Sequence, residues 1–178
     1  GNWGHIVNRL RMACGIFLGD SVLYRHAIDT YLYANDNGSL PHYIGESGQC
    51  QETGRDQAHT QLGLGAMCEI CEMAWEQGDD LYSALDNRLM KGLEYTARYN
   101  LGYDVPFEIW KDCTGLYCNW TEPGSMQRGR IRCIYDSAYE HYTKVKRLKM
   151  PYTKKLLDLQ RKAEKRGEIK EGMEARTF

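Results

Sequence analysis

Apolar positions recur at helical spacing along nearly the whole chain, which predicts an all-α protein. Residues 5–18 carry Ile6, Leu10, Ala13, Phe17 and Leu18 on one stripe, and Gly19-Asp20 breaks the run. Residues 22–35 carry Val22, Tyr24, Ala27, Ile28, Tyr31 and Leu32 before Asn35-Asp36-Asn37-Gly38 stops them. A third stripe of His59, Leu62, Ala66, Ile70, Met73 and Ala74 predicts a helix from Gln57 to Gln77, with Asp56 as its N-cap. Gly63 and Gly65 inside that helix cost about 1 kcal/mol each against Ala, so close approach of a neighbouring helix is expected there. A fourth helix is expected over 80–99 on Leu81, Leu85, Leu89, Leu93 and Ala97. Further helices are expected over 127–147 and 152–166, with Pro151 near the start of the last. Short and long connections alternate, which points to antiparallel helical hairpins around an axis.

Composition narrows the class. The 178 residues suit one domain. With 23 Lys and Arg against 24 Asp and Glu, the chain is not a generally basic nucleic-acid binder. No apolar run is long enough to span a membrane, and no signal peptide opens the chain. Charge is uneven, because residues 144–178 hold 12 Lys and Arg against 5 Asp and Glu. That end reads as a charged helix and tail, divided from the rest at about residue 153. The 7 cysteines cannot all pair within one chain. Cys68 and Cys71 form a C-x-x-C inside a helical pattern with no second pair nearby, so buried thiols are expected rather than a zinc site.

Candidate chemistry gathers in the two long polar segments, 39–55 and 100–126, since function sits on loops held by a rigid scaffold. The first leads through Gln51, Glu52, Arg55 and Gln57 into His59, which stands in the first turn of its helix. That position suits a neutral histidine acting as a base. The second carries Trp110, Tyr117 and Trp120, and a third cluster holds Arg128, Arg130 and Arg132. Trp3, Trp110 and Trp120 are either core residues or platforms for sugar faces. Together these residues resemble a site for an anionic sugar. β-Elimination from a polyuronate needs a group that neutralises the C5 carboxylate, a base for the C5 proton and an acid for the leaving O4. His or Tyr serves as the base, Tyr as the acid, and Asn, Gln, Arg or Glu as the neutraliser.

The runs Gly1-Asn2-Trp3-Gly4 to Leu18-Gly19-Asp20 and Glu52-Thr53-Gly54-Arg55-Asp56-Gln57-Ala58-His59 resemble the alginate lyase superfamily. More narrowly they resemble its polysaccharide lyases of Bacteroides type. Asp86-Asn87-Arg88-Leu89, Tyr99-Asn100-Leu101-Gly102, Arg128-Gly129-Arg130 and Glu140-His141-Tyr142 fit the same pattern. The resemblance implies an (α/α) toroid, of which residues 1–153 form an incomplete, C-terminal part. It implies β-elimination without a redox cofactor, and a periplasmic or secreted location; no metal site is expected. It also implies that Asn2, Gln51, Glu52, Arg55 and His59 line the cleft. Better-known members carry Asn-Asn-His where this chain has Gly1-Asn2-Trp3, and a tyrosine where it has Thr60. The acid is therefore expected elsewhere, at Tyr117, with Tyr142 and Tyr103 behind it.

The expected function is lyase cleavage of an alginate-like polyuronate to an unsaturated product. His59 is the expected base or neutraliser and Tyr117 the acid. Glu52 and Arg55 shape the carboxylate site, while Asn2, Trp3, Gln51, Gln57, Trp120, Arg128 and Tyr142 contact the sugar chain. Two alternatives stand beside it. One is a glycoside hydrolase using Glu52 with Asp56 or Asp112, and the other is a non-catalytic glycan-binding helical protein.

Overall fold

The computed structural model describes residues 1–167. Among the described residues there are seven α-helices: α1 (Asn2–Leu18), α2 (Ser21–Tyr33), α3 (Leu40–Tyr43), α4 (Gln57–Glu76), α5 (Ala84–Asn100), α6 (Asp136–Glu140) and α7 (Pro151–Lys165). No strand occurs among the described residues, so the protein is all-α there. The main helices pack in the order α2, α1, α4, α5, α7. The last residues of the charged tail, 168–178, lie outside the described residues. α7 itself crosses the boundary expected at residue 153 and packs on α5.

α1 and α2 form a hairpin because Gly19 takes the left-handed conformation that ends a helix, and Asp20 then caps the next through Val22 and Leu23 N–H. The two cross closely at Gly15, where a Cβ would lie 2.7 Å from Tyr24 N. α4 is the central element and is buried on nearly all sides. Gly63 makes room for the Tyr43 ring of α3, and Gly65 for the side chain of Ile134. The glycines therefore admit side chains from a short helix and a loop rather than a long neighbouring helix. Cys68 and Cys71 lie in the core, where burial pushes both thiols up. Among the described residues no helix is long and apolar enough to cross a membrane.

The structure departs from the sequence pattern in three places. The apolar positions Leu10, Phe17 and Leu18 of α1 face outward, and its buried face is Asn2, His5, Asn8, Met12 and Gly15. Asn8 belongs inside because its amide donates to Ala27 O of α2 at 2.9 Å. Residues 80–87 are not regular helix, since Leu85, Asp86 and Asn87 all have positive φ. The stripe holds from Leu89 through Leu93 to Ala97, all fully buried. Residues 127–134 form turns with positive φ at Gln127 and Gly129, so Arg128, Arg130 and Arg132 share no helix. Helix resumes at Asp136 and widens into a π-helical turn at His141–Val145.

Candidate active site

The first polar segment is a compact knot rather than an open loop. Ile44 and Cys50 form an isolated antiparallel bridge, and Gln51 N–H donates to Tyr43 O at 2.8 Å. Turns at 50–53 and 52–55 then carry the chain into α4. This knot buries Gln51, Glu52, Thr53 and Asp56 against the start of α1. Glu52 is held from both sides: Oε1 accepts from Asn2 N–H at 3.4 Å, and Oε2 meets Arg55 Nη1 at 3.4 Å. Arg55 Nε lies 3.9 Å from Asp56 Oδ2, so one guanidinium sits between two carboxylates.

Asp56 fixes His59. Its Oδ1 accepts the His59 backbone N–H at 2.8 Å, and its Oδ2 lies 2.6 Å from Nδ1. An ionised carboxylate only accepts hydrogen bonds, so Nδ1 carries a proton, and in the neutral ring the lone pair is on Nε2. Among the described residues Nε2 has no hydrogen-bond partner, and the ring is partly exposed. Beside this group, Asn2 Nδ2 and both amide atoms of Gln51 are buried without partners. Buried amides are normally satisfied, so this pair next to Glu52 and Arg55 is an exception to the usual pattern.

The second polar segment folds over the same side. Trp120 packs on Gly54, where a Cβ would overlap its Cβ, and lines a cavity of about 370 Å³ with Arg55. The Tyr117 ring lies 5.8 Å from that of Trp120. Asp112 organises this loop by accepting from Tyr117 N–H, Thr114 N–H and Asn37 Nδ2. Burial opposes ionisation of Asp112, but the hydrogen bonds from Thr114 and Asn37 outweigh it and hold the carboxyl well below its usual range.

A family model, alginate lyase, matches residues 1–105. The chain belongs to the alginate lyase family. Neither a curated protein nor a solved structure gives a match. Family membership brings polysaccharide lyase chemistry with a polysaccharide as substrate, and the matched span includes α1, the knot and His59.

Not every residue expected in the site of this alginate lyase family member lies there. Asn2, Gln51, Glu52 and Arg55 converge, and Asp56 joins Arg55 to His59. Trp120 and Tyr117 border the group through Gly54. Gln57 is instead a structural bracket, accepting from Asn100 Nδ2 at 2.9 Å and donating to Gly124 O at 3.0 Å. Tyr142 is fully buried in the core and donates to Tyr82 O at 2.9 Å, which removes it as a sugar contact or acid. Arg128 is spent on the end of α5, donating to Tyr99 O and Tyr103 O at 2.9 and 3.1 Å with its guanidinium 4.0 Å above the Tyr99 ring. Trp3 points outward beside Val7 and Arg11, lining a separate cavity of about 310 Å³. Tyr103 sits against Tyr152 of α7. The sequence offers Asp56 as a helix cap and as a hydrolase carboxylate but not as the histidine's partner; its i, i+3 spacing to His59 is the signal for that contact.

Proposed function

We propose that the protein is a polyuronate lyase in which His59 Nε2 removes the C5 proton. The observation that carries this is the Asp56–His59 pair, which occupies Nδ1 and leaves Nε2 unpartnered at the start of α4. The unpaired amides of Asn2 and Gln51, with Arg55, bind the C5 carboxylate and spread the charge that develops as the proton leaves. Tyr117 protonates the departing O4, and Trp120 carries a sugar face. The electron pair of the C5–H bond becomes the C4–C5 double bond as the C4–O4 bond breaks. Alginate and glucuronan are the substrate candidates, and the cell exterior or periplasm is the location.

The proposed architecture is an (α/α) toroid of which these helices form a part. The outward row Trp3, Val7, Leu10 and Phe17 on α1 supports it, because Phe17 is 89 % exposed and such a row suits a further helical layer. The test is the ultraviolet absorbance of the unsaturated product with alginate and glucuronan. His59→Ala is expected to lose about 10²–10⁴-fold of the rate. Unchanged turnover in His59→Ala sinks the reading.

A further inference from the structure

A cavity lies along α5, lined by none of His59, Arg55 and Tyr117. Lys91, Tyr95 and Arg98 follow one face of that helix, and with Ser47 and Tyr152 they line this cavity of about 270 Å³. Its charges are not equally engaged. Lys91 pairs with Asp86 at 2.8 Å. Glu94 accepts from the N–H groups of Tyr152 and Thr153, at 3.2 and 2.8 Å, and so serves the start of α7. Arg98 pairs with no carboxylate among the described residues, and its Nε is buried without a hydrogen-bond partner. Its guanidinium carbon lies 5.6 Å from the Tyr152 ring. A fork of donors beside aromatic rings fits a carboxylate carried on a sugar ring whose C–H face lies on an aromatic ring.

The cavity does not end there. Glu46 and Ser47 also line a neighbouring cavity of about 710 Å³ that includes Trp110 and Lys111. Trp110 Nε1 is likewise buried without a partner, and Gly45 lets the indole edge lie close to the backbone, 3.3 Å from where a Cβ would stand. Two adjoining hollows, each with an aromatic ring, a cation and an unused donor, match a ligand that repeats a ring and a carboxylate. We propose that this groove, from Arg98 and Tyr152 past Ser47 to Trp110 and Lys111, is a second binding site for an oligouronate, holding the polymer apart from the reacting sugar. It rests on the polyuronate reading for the ligand class and not on the assignment of His59.

The test is titration calorimetry with a uronate hexasaccharide in the His59→Ala background, where ligand is not consumed, with a neutral hexasaccharide as control. Arg98→Met is expected to weaken the uronate roughly tenfold, as loss of a charge-assisted hydrogen bond does. Lys111→Met, at an exposed residue that leaves folding intact, is expected to weaken it a few-fold, and both are expected to leave the neutral sugar unchanged. If Arg98→Met fails to fold, Lys111→Met alone decides. Parent-like uronate affinity in the folded variants, or equal binding of the neutral sugar, overturns the proposal. Turnover of the parent chain is read separately: absent turnover with Arg98-dependent binding removes the lyase reading and leaves the groove.

Discussion

Asp56 holds His59 by two bonds, a helix-cap bond to its backbone N–H at 2.8 Å and a side-chain bond to Nδ1 at 2.6 Å. The two substitutions at Asp56 separate these roles. Asparagine remains a good cap, so Asp56→Asn is expected to melt near the parent temperature while losing on the order of 10²-fold or more in turnover, because the ring loses its anionic anchor. Asp56→Ala loses the cap as well, at about 1 kcal/mol. Full turnover in Asp56→Asn assigns Asp56 to the helix alone.

The tyrosines divide by readout. Tyr117→Phe is expected to lower turnover and leave the melting temperature unchanged, since the Tyr117 ring is on a loop and its hydroxyl has no protein partner among the described residues. Tyr142→Phe strands Tyr82 O in the core and is expected to cost about 1 kcal/mol of stability. Thermal melts set beside progress curves check both, and the opposite pattern reverses the assignment.

His5 supplies a pH signature. It is fully buried, touches the Tyr43 ring edge-on at 4.6 Å, and burial holds its pKa down to about 3 from 6.5. Between those values the unfolded chain takes up a proton that the folded chain does not. Stability therefore falls as pH drops through that window, by up to about 1.4 kcal/mol per pH unit. His5→Phe keeps the ring contact and is expected to flatten the slope of urea-unfolding free energy between pH 6 and 4 by about that amount. An equal slope in the variant shows that His5 is not the titrating group.

Gly63→Ala is expected to be strongly destabilising, by roughly 1–3 kcal/mol, because the new Cβ overlaps Tyr43 Oη and the ring behind it is fully buried. Because Tyr43 O also accepts from Gln51 N–H, the same substitution is expected to disturb the knot and reduce turnover. Denaturant unfolding and the lyase assay in parallel check the coupling, and a loss of stability with full activity separates the knot from the site.

The long helices were legible because Asp20 and Asp56 cap them, Gly19 ends one, and α2, α4 and α5 bury much of their apolar stripes. The buried face of α1 is not legible for a physical reason: it satisfies polar groups, as Asn8 does with Ala27 O, so hydrophobicity does not mark it. Glu52, Arg55 and His59 were legible as a group since sequence neighbours on a tight turn stay neighbours in space. Arg128 and Gln57 were not, because what they bind lies 29 and 67 positions away in sequence. No local pattern announces a side chain that serves a distant carbonyl.

Those distant bonds share one property. Gln49 brackets Glu108 N–H and O, Gln57 holds Gly124 O, Asn100 holds Gly129 N–H, and Gln61 holds Arg130 O and Arg132 N–H. Tyr95 and Tyr99 donate to the carbonyls of Pro106 and Pro123. In every case the scaffold grips the main chain of the long segment. Such a mount is indifferent to the side chains it carries. Apart from Asp112, whose side chain helps to seat it on Asn37, the segment bearing Trp110, Tyr117 and Trp120 is thus free to change its sequence while staying in place, so under the proposed function a new sugar preference is reachable by exchange of loop residues on an unaltered helical frame.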